Sequence, residues 1–253
     1  MYGSKDRLVI FDIDGTLIDS FHAVERAFAF HGMDIGDLQR FQRRRKLLKY
    51  LGGLREFPKN LHRQFSKEHR KQLIHTLTEI YRGEANFFPG MAPLLQALID
   101  TPDIRVGLVS RNVTIEPDET VRMVLKRHGI DYRRLDFLHC IPLGEEKTPT
   151  FRALRRQFDI NPSRSFACGD EYRDYAAAIK AGMHPLVVAY GFEDFERLVG
   201  GFDIPDDVIA KTPGELSQRI CHTLDLGPPA SPAQNDDSVF GEHSSRDLSR
   251  DPS

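Results

Sequence analysis

Apolar positions along this chain follow two rhythms. One is the short unbroken run: Leu8-Val9-Ile10-Phe11, then Arg105-Val106-Gly107-Leu108-Val109-Ser110, then residues 137–141, 165–168 and 185–189. Runs this short, rich in β-branched residues and bounded by turn residues, fit strands buried on both faces of a parallel sheet. The other rhythm is the three-to-four spacing of an amphipathic helix. It appears in Phe21, Val24, Ala27 and Phe28 within residues 19–31. It returns at 92–100, from a Thr120 cap to Gly129, at 148–158, at 172–181 before Gly182, and at 213–224. From Pro89-Gly90 onward strands and helices alternate. That order predicts an α/β fold: a Rossmann-like parallel sheet core with helices on both faces.

Residues 21–88 break the alternation. A helical tract at 37–49 carries Arg40, Arg43, Arg44, Arg45, Lys46 and Lys49 and ends at Gly52-Gly53. Ser66 is positioned to cap a further helix reaching about Tyr81, with Leu73, Ile74, Leu77 and Ile80 as its apolar face. No strand is expected between Phe21 and Phe88, so the segment reads as an all-helical insertion after the first strand. The expected division is a core domain of residues 1–20 and 89–226 and a helical domain of 21–88. Residues 227–253, rich in Pro, Ser, Asp, Asn and Arg, have too few apolar groups to offset their ordering entropy and read as a disordered tail.

Charge narrows the partners. Lys and Arg number 35 against 37 Asp and Glu, a net charge of -2, which gives no global attraction to nucleic acid or anionic membrane. The basic tract has little aromatic interleaving, which also argues against nucleic acid, and a solvated helix face accounts for most of it. No apolar run approaches membrane-spanning length and no charged-then-apolar leader opens the chain, so the expected location is the cytosol. Cys140, Cys168 and Cys221 are odd in number and form no CxxC pair; two of them read as small core residues. Asn112-Val113-Thr114 matches a glycosylation sequon and is read as coincidence.

Chemistry enters at the end of the first apolar run. Asp12 and Asp14 follow it at i, i+2, and Gly15-Thr16 comes at once. Strand alternation would aim both carboxylates toward one site at the carboxyl end of a strand, where open α/β sheets bind ligands. Buried carboxylates need a metal, a hydrogen bond or a chemical task to compensate them. Ser110, Lys147, Asp170 and Asp174 fall at the ends of later βα units. Each also has an ordinary reading: Asp12 or Asp170 as a helix cap, Ser110 as a cap, Lys147 as solvated, Asp174 on a helix surface.

Taken together, these stretches resemble the haloacid dehalogenase (HAD) superfamily. Phe-Asp-Ile-Asp-Gly-Thr-Leu-Ile-Asp-Ser, residues 11–20, is similar to its first motif in the phosphatase branch. Ser110 resembles the second motif. Lys147-Thr148-Pro149 resembles the third, with its proline one residue late. The run of residues 169–183, Gly-Asp-Glu-Tyr-Arg-Asp onward, resembles the fourth. The resemblance covers about residues 7–224 and is weakest in the insertion, which corresponds to a helical C1 cap.

That resemblance implies an HAD-type phosphoric monoester hydrolase, similar to phosphoglycolate phosphatases, acting on a small phosphorylated metabolite. It makes Asp12 the nucleophile that forms an aspartyl-phosphate, and Asp14 the acid and then the base. Mg²⁺ would be held by Asp12, the backbone carbonyl of Asp14, Asp170 and Asp174, while Lys147 and Ser110 offset phosphoryl charge. Arg111 and Asn112 are candidate phosphate contacts, although Ser-Arg-Asn departs from the more usual Ser-Asn. Gly53 and Arg55 are candidates for a substrate-specificity loop. Haloacid dehalogenases lack the second aspartate and phosphonatases use a cap lysine, so Asp14 favours phosphate esters. A β-phosphoglucomutase-like mutase carries the same aspartate pair and stays open as an alternative, as does a non-catalytic binding protein on this fold.

Overall fold

The computed structural model describes residues 5–32 and 67–227. The basic tract at 37–49, Gly52-Gly53, Arg55, the Ser66 cap and the tail beyond Gly227 lie outside the described residues. The first part contains β1 (Arg7–Phe11), β2 (Ile18–Asp19), α1 (Phe21–Phe30), α2 (Lys67–Glu84) and β3 (Asn86–Phe87). Then follow α3 (Met91–Asp100), β4 (Ile104–Ser110), α4 (Pro117–Arg127), β5 (Phe137–Cys140), α5 (Thr148–Gln157) and β6 (Ser165–Gly169). The chain continues through α6 (Tyr172–Ala181), β7 (His184–Val188), β8 (Ile209–Ala210) and α7 (Pro213–Thr223).

Six strands form one sheet in the order β5-β4-β1-β6-β7-β8, and every pairing in it is parallel. This is the predicted α/β, Rossmann-like core. β1 lies in the middle, with Phe11 paired to Leu108 on one side and Cys168 on the other. Leu8 to Phe11 are each no more than 1% exposed, which is why the strand reads as a solid apolar run rather than an alternating one. Alternation still sorts the side chains. Val9 and Phe11 pack with Leu73 and Leu77 of α2, Leu95 of α3 and Val124 of α4. Leu8 and Ile10 pack on the opposite face with Phe151 and Leu154 of α5 and Ala177 and Ala178 of α6. Helices therefore cover both faces.

Three expectations need correction. The 21–88 segment is not all helical: β3 pairs antiparallel with β2, Ile18 opposite Phe87. Two-residue strands carry no readable periodicity; they form because the chain leaving the core and the chain returning to it run side by side. Thr120 does not cap α4. Pro117 opens that helix with its fixed φ, Asp118 and Glu119 follow in the first turn, and the Thr120 hydroxyl donates back to the Ile115 carbonyl at 2.8 Å. β8, too short to show a pattern, extends the sheet by one strand beyond the predicted set. Among the described residues no helix is long and apolar enough to cross a membrane, and the three cysteines are free, Cys168 and Cys221 buried and Cys140 half-buried.

The glycine inside β4 has a packing reason. A Cβ at Gly107 would lie against Cε2 of Phe137 on the neighbouring strand and clash with its ring. Gly107→Ala should therefore lower unfolding stability in urea by about 1–3 kcal/mol, as overpacking does. Adding Phe137→Leu should recover part of that loss, and additive effects would show that the ring is not the obstacle.

Candidate active site

The sheet order places the site. From β1 the chain goes to β4 and β5 on one side, then crosses to β6 and β7 on the other, so β1 and β6 flank the topological switch point. Asp12 follows the last residue of β1, Ser110 ends β4, and Asp170 follows the last residue of β6. Lys147 immediately precedes α5, and Asp174 lies in the first turn of α6. Five residues from four separate stretches converge at one end of the sheet.

Lys147 Nζ lies 2.7 Å from Asp12 Oδ2 and 2.8 Å from Asp174 Oδ1, with all three side chains buried. These are close ion pairs whose angles are poor for hydrogen bonds. Burial opposes the lysine's charge, but the two aspartates outweigh it and raise its pKa, so Lys147 stays protonated. Asp174 also pairs with Arg111, whose guanidinium nitrogen is 3.3 Å from Asp174 Oδ1 and 2.8 Å from Glu171 Oε2. Burial opposes the Asp174 charge too; Lys147 and Arg111 together hold its pKa below the usual carboxylate value.

Asp12, Asp170 and Asp174 each offer a ligand atom, all within 4.8 Å of one another. Asp12 Oδ1 accepts from the Ile13 amide at 2.7 Å, leaving Oδ2 to Lys147. Asp170 is fully buried; its Oδ2 accepts from the Phe192 amide at 2.5 Å, whereas its Oδ1 has no hydrogen-bond partner among the described residues. Burial, reinforced by the Asp12 charge, pushes the Asp170 pKa well up, and burial pushes Asp12 up against the pull of Lys147. Four buried or nearly buried carboxyl groups, counting Glu171, thus face two cations. A hard divalent cation fits this donor set: oxygen ligands only, one of them unpartnered, in a place short of positive charge.

Neighbouring backbone makes room for that carboxylate. Gly15 has φ +82, and a Cβ there would overlap the Asp170 carboxyl group and the Phe192 ring; a Cβ on Gly191 would strike the same carboxyl. Ser110 Oγ is buried at the end of β4 with no hydrogen-bond partner among the described residues.

Asp14 faces the same pocket as Asp12 but belongs to a different set of contacts. Tyr81 Oη donates to its Oδ1 at 2.7 Å, and Asn112 Nδ2 donates to its Oδ2 at 3.0 Å. Burial pushes its pKa up to about 6; the Tyr81 bond pulls it down, the Asp12 charge adds to the rise, and the Asn112 bond opposes it. The Asp14 side chain is not one of the three clustered ligands. The side chains of Arg111 and Asn112, candidate phosphate contacts, bond to carboxylates: Arg111 to Glu171 and Asp174, and Asn112 to Asp14. Tyr81, in the sequence pattern no more than a helix end, is 2% exposed and reaches the site. Its signal was there: a hydroxyl-bearing residue on the 73, 77, 81 apolar stripe of α2, just before the chain re-enters the core. Glu171 was also passed over, since nothing in its sequence position shows that Arg111 would come to it. Val24, Leu77, Val113, Leu143 and Phe192 form the apolar wall of the pocket above these groups.

Comparison with known proteins gives concordant results. The chain is 25% identical over 224 residues to a phosphoglycolate phosphatase of Synechococcus elongatus, covering 85% of this chain and 98% of the relative. It is 28% identical over 233 residues to an N-acetylmuramic acid 6-phosphate phosphatase of Pseudomonas aeruginosa, covering 86% and 96%. In fold it resembles a HAD family hydrolase from Deinococcus radiodurans solved with bound phosphate and sodium (TM-score 0.58, 17% identity, 89% of this chain and 99% of that one). It also resembles CbbY from Rhodobacter sphaeroides in complex with phosphate (TM-score 0.55, 20% identity, 77% and 91%). The family model for haloacid dehalogenase-like hydrolases matches residues 7–182, well over half of the chain and the whole stretch from β1 through α6. The chain belongs to the haloacid dehalogenase-like hydrolase family.

Proposed function

We propose that this protein is a Mg²⁺-dependent phosphatase that hydrolyses a small-molecule phosphomonoester through an aspartyl-phosphate on Asp12. The observation that carries this reading is the set of contacts around Asp12: a buried carboxylate beside Lys147, within one acidic cluster, and separate from a second aspartate whose pKa is raised to about 6. The names of the curated relatives, phosphatases of phosphoglycolate and of N-acetylmuramic acid 6-phosphate, support the substrate class.

In this reading an Asp12 carboxylate oxygen bonds to phosphorus as the ester P–O bond breaks. The departing oxygen takes a proton from Asp14. Asp14, now a carboxylate, takes a proton from water as the water oxygen bonds to phosphorus. The Asp12–phosphorus bond then breaks, giving inorganic phosphate and the original carboxylate. A carboxyl group raised to about 6 lies closer to neutral pH than an ordinary aspartate, which suits both transfers. Lys147 balances phosphoryl charge, and the unpartnered Ser110 hydroxyl donates to a phosphoryl oxygen. Mg²⁺, held by Asp12, Asp170, the Asp14 carbonyl and Asp174 as ligand or support, would offset the repulsion between a carboxylate and a phosphate dianion. We further propose a core of residues 1–20 and 89–226 with a cap of residues 21–88 over the site, in which Gly53 and Arg55 help select the substrate. Arg111 serves in this scheme by holding Glu171 and Asp174.

Phosphate release from a panel of phosphorylated metabolites, including the two named above, tests the function. Wild type should release phosphate only with Mg²⁺, and Asp12→Asn should lose about a thousandfold or more in kcat. Equal release from both proteins would overturn the reading, and transfer of the phosphoryl group to sugar rather than water would indicate a mutase.

The metal has a readout independent of turnover. Mg²⁺ at a hundredfold excess over Kd should stabilise the wild type by about 2.7 kcal/mol in thermal melts. Asp170→Asn should abolish that gain while leaving the metal-free protein as stable or more stable, because it removes a carboxyl group that burial makes costly to ionise. A Mg²⁺ shift undiminished by Asp170→Asn would exclude this carboxylate as a ligand.

A further inference from the structure

Both oxygens of Asp14 are held, and the two donors come from a single tied assembly. Tyr81 lies in the last turn of α2, the helix that closes the 21–88 insertion. Asn112 lies just beyond β4. Its orientation is fixed because its own Oδ1 accepts from the Thr114 amide at 2.9 Å and from the Thr114 hydroxyl, so Nδ2 must face Asp14. The same loop is fastened to α2. The Ile115 amide donates to Thr78 Oγ1 at 2.9 Å, and Arg82 donates through Nε to Thr120 Oγ1 at 3.0 Å. Arg82 also reaches the Ile115 carbonyl at 3.4 Å. Thr78 and Arg82 thus grip the loop that carries Asn112, Tyr81 lies between them on the same helix, and the seating of α2 determines where both donors stand.

We propose that Tyr81 is a positioning residue for Asp14, fixing the carboxyl group in the direction from which it exchanges protons. The inference rests on the phosphatase reading above. A carboxylate has about four lone-pair sites, so the two bonds leave each oxygen able to bind a proton. What they remove is rotation. Tyr81 does not touch substrate; it acts through Asp14, and it does so from the segment that leads back from the insertion. Reactions that need the Asp14 proton should therefore depend on Tyr81, and reactions that do not should be indifferent to it.

Leaving-group chemistry separates the two. In an alkyl ester the departing oxygen must receive the Asp14 proton as the ester P–O bond breaks. In p-nitrophenyl phosphate the nitrophenolate departs as the anion, with the electron pair of the broken bond and no proton. Hydrolysis of the Asp12 phosphoryl group still requires Asp14 to take a proton from water.

The test compares wild type and Tyr81→Phe in the full chain with Mg²⁺, on p-nitrophenyl phosphate and on the best alkyl ester of the panel. For the alkyl ester, kcat should fall by about 10- to 100-fold, while KM and inhibition by inorganic phosphate change by less than about twofold. For p-nitrophenyl phosphate, a stoichiometric burst of nitrophenolate at the wild-type rate should precede a slow phase. Acid-quenched protein should then carry one phosphoryl group by mass. A variant with wild-type kcat overturns the inference, as does a parallel loss in kcat, KM and phosphate inhibition with no burst, which is what a merely structural role produces. A wild type inert toward every ester overturns the proposed function and this inference with it; an active wild type matched by the variant overturns the inference alone. If Tyr81→Phe does not fold, Arg82→Gln carries the test, because it loosens the turn bearing Tyr81 and should give the same split at about threefold to tenfold.

Discussion

The structure depends on keeping several carboxylates out of water at the carboxyl ends of β1 and β6. Isolated buried carboxylates are strongly unfavourable, and the protein meets that cost with two buried cations placed between them. Lys147 stands between Asp12 and Asp174, and Arg111 between Asp174 and Glu171. Asp174 is fully compensated and its pKa is lowered; Asp170 is not, and its pKa is raised. The imbalance has a direction. It leaves the Asp170 end of the cluster, with its unpartnered oxygen, as the place where a further positive charge would relieve the most strain. A site built this way asks for a cation before it asks for a phosphate.

The sheet makes that arrangement possible. Parallel strands bring their carboxyl ends to one edge, and the order β4-β1-β6 puts Ser110, Asp12 and Asp170 on adjacent strand ends. Hydrophobic side chains packed above and below β1 hold the strand, and with it Asp12, in the interior. Gly15 and Gly191 leave the space that the Asp170 carboxyl group fills. Rigid apolar packing holds the charges; the charges in turn define what the pocket can bind.

How much of this was legible follows from what each feature depends on. β1, β4 and β6 announced themselves because buried parallel strands are continuous apolar runs, and α6 because Gly182 ends it in the left-handed region. β3 and β8 did not, because two residues carry no period. Thr120 was misread as a cap because a threonine before an apolar stripe is a cap signal, and the nearby Pro117 was the stronger one. Among the polar groups, Asp12, Ser110, Lys147, Asp170 and Asp174 were readable as residues at βα junctions. Their partners were not. That Arg111 turns to Glu171 and Asp174 instead of outward depends on the distance between the ends of β4 and β6, which no local pattern encodes. Gly53 and Arg55, lying outside the described residues, keep the status of expectations.

Tyr81 shows the same limit from the other side. On the helix it is one more member of the apolar stripe with Leu73 and Leu77, and its ring packs in the same cluster as Val9 and Phe11. Only the hydroxyl sets it apart, and a buried tyrosine hydroxyl requires an acceptor. The acceptor turns out to be Asp14, across 67 residues of chain. One side chain therefore serves two ends: its ring anchors the returning helix to the sheet, and its hydroxyl orients the Asp14 carboxyl group beside Asp12. Because Thr78 and Arg82 on the same helix hold the loop that carries Asn112, any shift of α2 against the sheet would move both donors on Asp14 together. The last turns of α2 are tied to the core through these contacts, and the Asp14 carboxyl group is held by that attachment.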